Sequence, residues 1–190
     1  MRKALTNIIL CTGIILIVIS LVIAGSSYIR RNSLIKDMPQ TVEQLRSLMP
    51  EVHGGFVDDR FDTSMSTVVI DNTDYVGVVE VPQYKTICPV SFHWNNENIK
   101  NQPCRYSGSI YSSDFIMGGT DYQLGFAKLI NVGDEIRFTD MSGAMFNYTV
   151  YSIAVEKDFS PDLIISENSD FILFIKDTRS GEYTIIYCQL

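Results

Sequence analysis

The sequence is poor in the side chains that build metal and redox centres. Its 190 residues include two histidines and four cysteines. His53 and His93 lie far apart, and no two cysteines stand at the C-x-x-C spacing of a zinc or dithiol site. Neither a metal nor a cofactor is expected. Basic residues are also few, 15 against 22 acidic ones. Five of the 15, Arg2, Lys3, Arg30, Arg31 and Lys36, precede the first acidic residue, Asp37, so residues 37–190 carry ten basic against 22 acidic side chains, a net −12. That balance argues against a nucleic-acid partner, which needs clustered Lys and Arg for the phosphate backbone. Phosphate-loop chemistry is missing too. Gly118-Gly119 lacks the spacing and the Lys-Ser/Thr ending of a P-loop and reads as a strand end that needs backbone freedom. There is no internal repeat and no low-complexity tract.

One long apolar run is present. Residues 8–24, IILCTGIILIVISLVIA, are seventeen positions without a charge, and Ala4 and Leu5 extend them to about the twenty that span a hydrocarbon core. Val22-Ile23-Ala24 resembles a signal-peptide cleavage site, but the run exceeds the usual h-region of about 7–15 residues, which favours an uncleaved membrane anchor. Basic residues flank it on both sides, so charge alone does not orient it. Of the other cysteines, Cys88, Cys104 and Cys188 fall in the remaining chain. One disulfide among the three or three buried free thiols are both open.

Three segments follow from this reading: a tip and transmembrane anchor over 1–30, a stalk helix and linker over 31–66, and a β domain over 67–190. Thr41-Val42-Glu43-Gln44 has the form of a capping box, predicting a short helix that ends near Met49 before Pro50. Residues 51–66, with Gly54, Gly55, Asp58, Asp59 and Asp62, read as a loop. Eight β-rich runs come next, at 67–70, 75–81, 86–90, 115–117, 135–139, 146–155, 171–175 and 183–187. Asp140-Met141-Ser142-Gly143 and Arg179-Ser180-Gly181 are hairpin turn signals, and 124–130 is the one internal helical turn. The expected class is all-β, a closed barrel of about eight strands with short helices behind an N-terminal transmembrane helix.

A family resemblance rests on an ordered set of segments: YVGVVEVP at 75–82, CPV at 88–90, PCRYSGS at 103–109 and FIMGGTDY at 115–122. FAKL at 126–129, VGDEIRFTDMSG at 132–143 and DFILFIKDTRSGEYTIIYC at 170–188 complete it. In this order they resemble the sortases, membrane-anchored cysteine transpeptidases of Gram-positive bacteria, and most of all class B. The resemblance implies a β-barrel domain held by its anchor on the extracytoplasmic side of the cell membrane. It also implies three catalytic groups: a Cys thiolate that attacks a threonyl carbonyl of a sorting signal, a His that protonates the leaving amine, and an Arg that stabilises the oxyanion.

None of the three is found at its aligned position. The family His aligns with Thr120, the Cys with Lys176 and the Arg with Tyr183. A hydroxyl cannot shuttle a proton near neutrality as imidazole does, so the expected protein is a catalytically inactive sortase relative. It would serve as a binding or accessory module for sorting-signal peptides, surface proteins or an active sortase, with Thr120, Tyr122, Lys176, Arg179 and Tyr183 as its binding residues. Other readings stay open. Arg179 is placed to reach over the site from its hairpin. A relocated Cys88 or Cys104 with His93 would restore a peptidase, and a Thr120–Lys176 dyad would be a different enzyme. The plainer expectation for Lys176 is a solvated cation paired with Asp177 or Asp121. The aromatics Phe92, Trp94, Tyr106, Tyr111 and Tyr122 either line a peptide groove or belong to the core.

Overall fold

The computed structural model describes residues 2–55, 63–95, 97–159 and 169–190. Residues 56–62, with Asp58, Asp59 and Asp62 of the expected loop, lie outside this set. The chain divides into two units, Met1–Lys36 and Asp37–Leu190.

Helix α1 runs over Arg2–Leu48. Its described side chains in the first unit begin at Thr12, and Ile14, Leu16, Ile17, Leu21 and Val22 among them are more than half exposed. Among the described residues no helix is long and apolar enough to cross a membrane; the side chains of residues 1–11, where the apolar run starts, are outside them. The separate stalk helix expected from Thr41 is not found. Thr41 lies in mid-helix, and its hydroxyl donates to the Asp37 carbonyl at 3.2 Å instead of capping a new start. The helix end belongs to the second unit. Val42 and Leu45 are buried there against Tyr75, Val78 and Met141.

Ten strands are described in that unit: β1 His53–Gly54, β2 Val68–Ile70, β3 Thr73–Val81, β4 Thr86–Ser91 and β5 Cys104–Ser107, then β6 Phe115–Thr120, β7 Glu135–Asp140, β8 Ala144–Glu156, β9 Phe171–Lys176 and β10 Tyr183–Gln189. Eight of them form a ring. The sheet runs β8-β10-β9-β6-β5-β4-β3, and β7 closes it by pairing with both β3 and β8. β1 adds to β8 and β2 to β3 as short edges. The expected number of barrel strands therefore holds, but not the membership. The run at 67–70 became the edge strand β2, and β5 took its place in the ring. Cys-Arg-Tyr-Ser is short, with Cys104 buried and the other three half-buried; it is a strand because β6 pairs along it and β4 meets it at Cys104.

The strand patterns report what covers each face. β7 alternates half-buried and buried positions, with Ile136 and Phe138 inward. β6 is buried at all six positions and β9 at five of six, so both are covered on two sides. Phe115, Met117, Phe171, Leu173 and Ile175 fill the barrel with Phe138, Tyr148 and Ile186. Ile116, Ile172, Phe174, Ile185 and Tyr187 form a second layer on the opposite face of the same strands. The internal helical turn expected at 124–130 is a 3₁₀ turn, Gly125–Lys128.

Candidate functional site

Thr120 ends β6, Lys176 ends β9 and Tyr183 begins β10. Thr120 and Lys176 are register partners in the parallel β6–β9 pair, and Lys176 and Tyr183 are partners in the β9–β10 hairpin. Thr120 thus stands beside two positions more than fifty residues further along the chain, at one end of the sheet. Strand alternation puts them on the face of Ile116, Phe174 and Ile185, outside the barrel interior.

The three side chains differ in environment. Lys176 is exposed, with its Nζ 5.4 Å from the Tyr183 ring centroid, an attraction of about 0.5–1 kcal/mol at an exposed site. Thr120 is 6% exposed, and its hydroxyl is buried with no hydrogen-bond partner among the described residues, a cost of about 1–3 kcal/mol. Its backbone is well held. The Thr120 N–H donates to Gln123 Oε1 at 3.0 Å, and Gln123 Nε2 donates to the Ile99 carbonyl at 3.0 Å. Gln123 is a positioning residue that no sequence motif marked; only its 4% exposure reveals it.

The acids near Lys176 have other partners, contrary to the expected pairing. Asp177 Oδ2 binds Lys128 Nζ at 2.7 Å, while its Oδ1 accepts from the Arg179 and Ser180 N–H groups. The Lys128 contact first, and then the two N–H groups, pull the Asp177 carboxyl down to about 2. Asp121 Oδ1 accepts from the Thr178 hydroxyl at 2.9 Å and its N–H at 3.1 Å. Arg179 is exposed on the hairpin, with no bond from its guanidinium among the described residues. The Tyr122 hydroxyl donates to the Lys100 carbonyl at 2.6 Å.

An aromatic row lies beside these residues. Trp94 is 5.2 Å from Phe174 and 5.3 Å from Tyr106, and Phe159 lies 4.4 Å from Phe174 and 5.3 Å from Tyr183, all between ring centroids. The expected aromatic set is thereby divided. Trp94 and Tyr106 belong to this face, whereas Phe92 and Tyr111 pack against the barrel core. Gly118 explains how Phe174 fits. Its φ is not positive; a Cβ there would meet the Phe174 ring at 2.2 Å, so the demand at this strand end is for close approach.

The three described thiols, Cys88, Cys104 and Cys188, are free and buried. Burial pushes Cys88 and Cys104 up to about 12 and raises Cys188 as well, far from the thiolate that catalysis needs. Cys88 Sγ donates to the Gln123 carbonyl at 3.3 Å. His93 is mostly exposed and pairs with Asp74 at 3.2 Å. Among the described residues no group of three or more His, Cys, Asp or Glu could hold a metal ion.

No protein-family model matches the sequence, and no curated protein matches it significantly. Solved structures do. Sortase C1 from Streptococcus agalactiae aligns with a TM-score of 0.53 at 14% identity, over 64% of this chain and 69% of that one. Sortase A from Corynebacterium diphtheriae gives 0.52 at 12%, over 84% and 83%. A Clostridium perfringens sortase D5 transpeptidase gives 0.51 at 13%, over 85% and 98%. At such identities the likeness is one of fold: the eight-stranded ring closed by β7 is a sortase-like barrel.

Proposed function

We propose that this chain is a membrane-anchored, extracytoplasmic, class B-like sortase relative that has lost transpeptidation and acts as a binding or accessory module for sorting-signal peptides, surface proteins or an active sortase. One observation carries the proposal. The positions that align with the family His, Cys and Arg are direct neighbours across β6, β9 and β10, as a catalytic set must be, yet they hold Thr120, Lys176 and Tyr183. None of these supplies a thiolate or an imidazole, and the described thiols, Cys88, Cys104 and Cys188, are buried. The apolar run at 8–24 and the exposed Ile14, Leu16 and Leu21 on α1 support the anchor. The face beside the site keeps its aromatic row, because a groove depends on strand and loop shape while catalysis depends on a few side chains.

The adjacency of Thr120 and Lys176 also suits a second reading, an enzyme built on that dyad. One assay separates the two. The full chain in detergent is incubated with a panel of sorting-signal peptides, beside the replacement Thr120→His, Lys176→Cys, Tyr183→Arg, and both binding and cleavage are recorded. Binding without turnover by the natural protein is the expected result, and turnover restored in the replacement would show that the groove survives. Cleavage by the natural protein, lost in Lys176→Gln, would overturn the proposal in favour of the dyad.

A further inference from the structure

Lys176 is the one exposed position of β9, after five buried residues. It belongs to a part of the chain with a net charge of −12, where a surface lysine would ordinarily find a carboxylate. The two nearest in sequence and register are committed elsewhere, Asp177 to Lys128 and Asp121 to Thr178. The ion pairs among the described residues are Arg46–Glu80, His93–Asp74, Lys128–Asp177 and Arg137–Glu135, and none uses Lys176. Its Nζ lies instead over the Tyr183 ring. On the same face and in register with it, the Thr120 hydroxyl is buried without a partner among the described residues. The Trp94, Tyr106 and Phe174 rings continue that face away from the cation.

We infer that this end of the sheet is a terminal-carboxylate site, one that takes the free C-terminus of a peptide in preference to an internal peptide bond. The inference rests on the peptide-binding reading above and narrows it. An internal peptide bond carries no charge, so it leaves the Lys176 ammonium without a counter-ion, whereas a C-terminal carboxylate supplies one. The Thr120 hydroxyl, in register with Lys176 and without a partner among the described residues, is the neutral donor that a change of its rotamer brings to that carboxylate. The aromatic row accommodates the apolar side chains that precede the terminus. A phosphate fits less well, because a dianion is ordinarily held by several donors or by a bidentate Arg, and Lys176 is the one cation among the three register partners.

Equilibrium dialysis of the full chain in detergent tests this, with a pool of N-acetylated hexapeptides rich in Leu, Phe and Thr, prepared once as C-terminal carboxylates and once as carboxamides. Bound peptides are read by mass spectrometry, and the emission of Trp94, the single tryptophan, reports occupancy of the face. The natural protein should retain the carboxylates about tenfold more than the carboxamides, a difference of one charge-assisted contact. That preference should vanish in Lys176→Gln, survive in Lys176→Arg and weaken with added salt. Thr120→Val should lose a smaller factor. Because Lys176 is exposed, the Gln variant should fold, and an unchanged denaturation midpoint confirms it. Equal retention of both pools would overturn the carboxylate site while leaving peptide binding standing. Retention of neither pool would overturn both.

Discussion

The ring of Phe174 lies on the backbone of Gly118, its cross-strand partner in the β6–β9 pair. This contact sets the height of the aromatic row above the sheet, since Trp94, Tyr106 and Phe159 all pack against Phe174. Gly118→Ala should therefore displace the ring, cost about 1–3 kcal/mol by overpacking and shift the Trp94 emission. Combining it with Phe174→Leu should recover part of the loss. A fully additive double-mutant cycle would show that the ring does not rest on Gly118.

Asp140 organises the β7–β8 hairpin. Its Oδ1 accepts from Ser142 Oγ and from the Ser142 and Ala144 N–H groups, and its Oδ2 accepts from the Tyr111 hydroxyl at 2.7 Å. The carboxylate is fully buried, and burial above all pushes the Tyr111 phenol up to about 12. Asp140→Ala should destabilise the protein by about 2–4 kcal/mol because several donors lose their acceptor, whereas Tyr111→Phe should cost about 1 kcal/mol. Urea denaturation midpoints measure both, and equal losses would contradict the hub.

The hairpin next to the site should respond to acid. The Asp177 carboxyl is held down to about 2 by Lys128 and by the Arg179 and Ser180 N–H groups. A depressed folded-state value means the stabilisation is present above the unfolded value, near 4, and is lost as the pH falls from there towards 2. The difference in melting temperature between the natural protein and Asp177→Asn should therefore be constant from pH 7 to about 5 and shrink below about 4. A difference that persists unchanged at pH 2.5 would rule out the ionised carboxylate as its source.

Buried thiols with raised pKa values should be inert in the native state. At pH 8, iodoacetamide should leave Cys88, Cys104 and Cys188 unmodified in folded protein and label all three after guanidinium unfolding, as peptide mapping would read. Rapid native labelling of Cys88 or Cys104 would revive the relocated-nucleophile enzyme.

The end of α1 is part of the barrel unit. Leu45 is 0% exposed, against Tyr75, Val78 and Met141, so Leu45→Ala should cost about 2–5 kcal/mol. A surface change such as Glu43→Ala should cost little. If both substitutions were neutral, the helix end would not be docked in solution.

The hairpins and most strands were legible because their causes are local. Alternation identifies β7, continuous apolar runs identify β6 and β9, and Asp140-Met141-Ser142-Gly143 carries its own turn chemistry, with Gly143 at φ +86°. The candidate site was legible only through its ordered neighbours, as Thr120, Lys176 and Tyr183 form no motif of their own. Gln123 was invisible, since a buried glutamine looks in sequence like a surface one.

By itself, then, the sequence determined the eight-stranded β character, the turns and the acidic balance of residues 37–190, all of which follow from side-chain period and composition. Tertiary structure decided the rest. It recruited β5 through pairing with its neighbours and ran α1 past the capping signal at Thr41, where docking of Val42 and Leu45 outweighs a local hydrogen bond. It also gave Asp177 to Lys128 and left Lys176 over Tyr183. These outcomes depend on which groups meet across strands distant in sequence, and backbone pairing and burial settle that only once the barrel has closed.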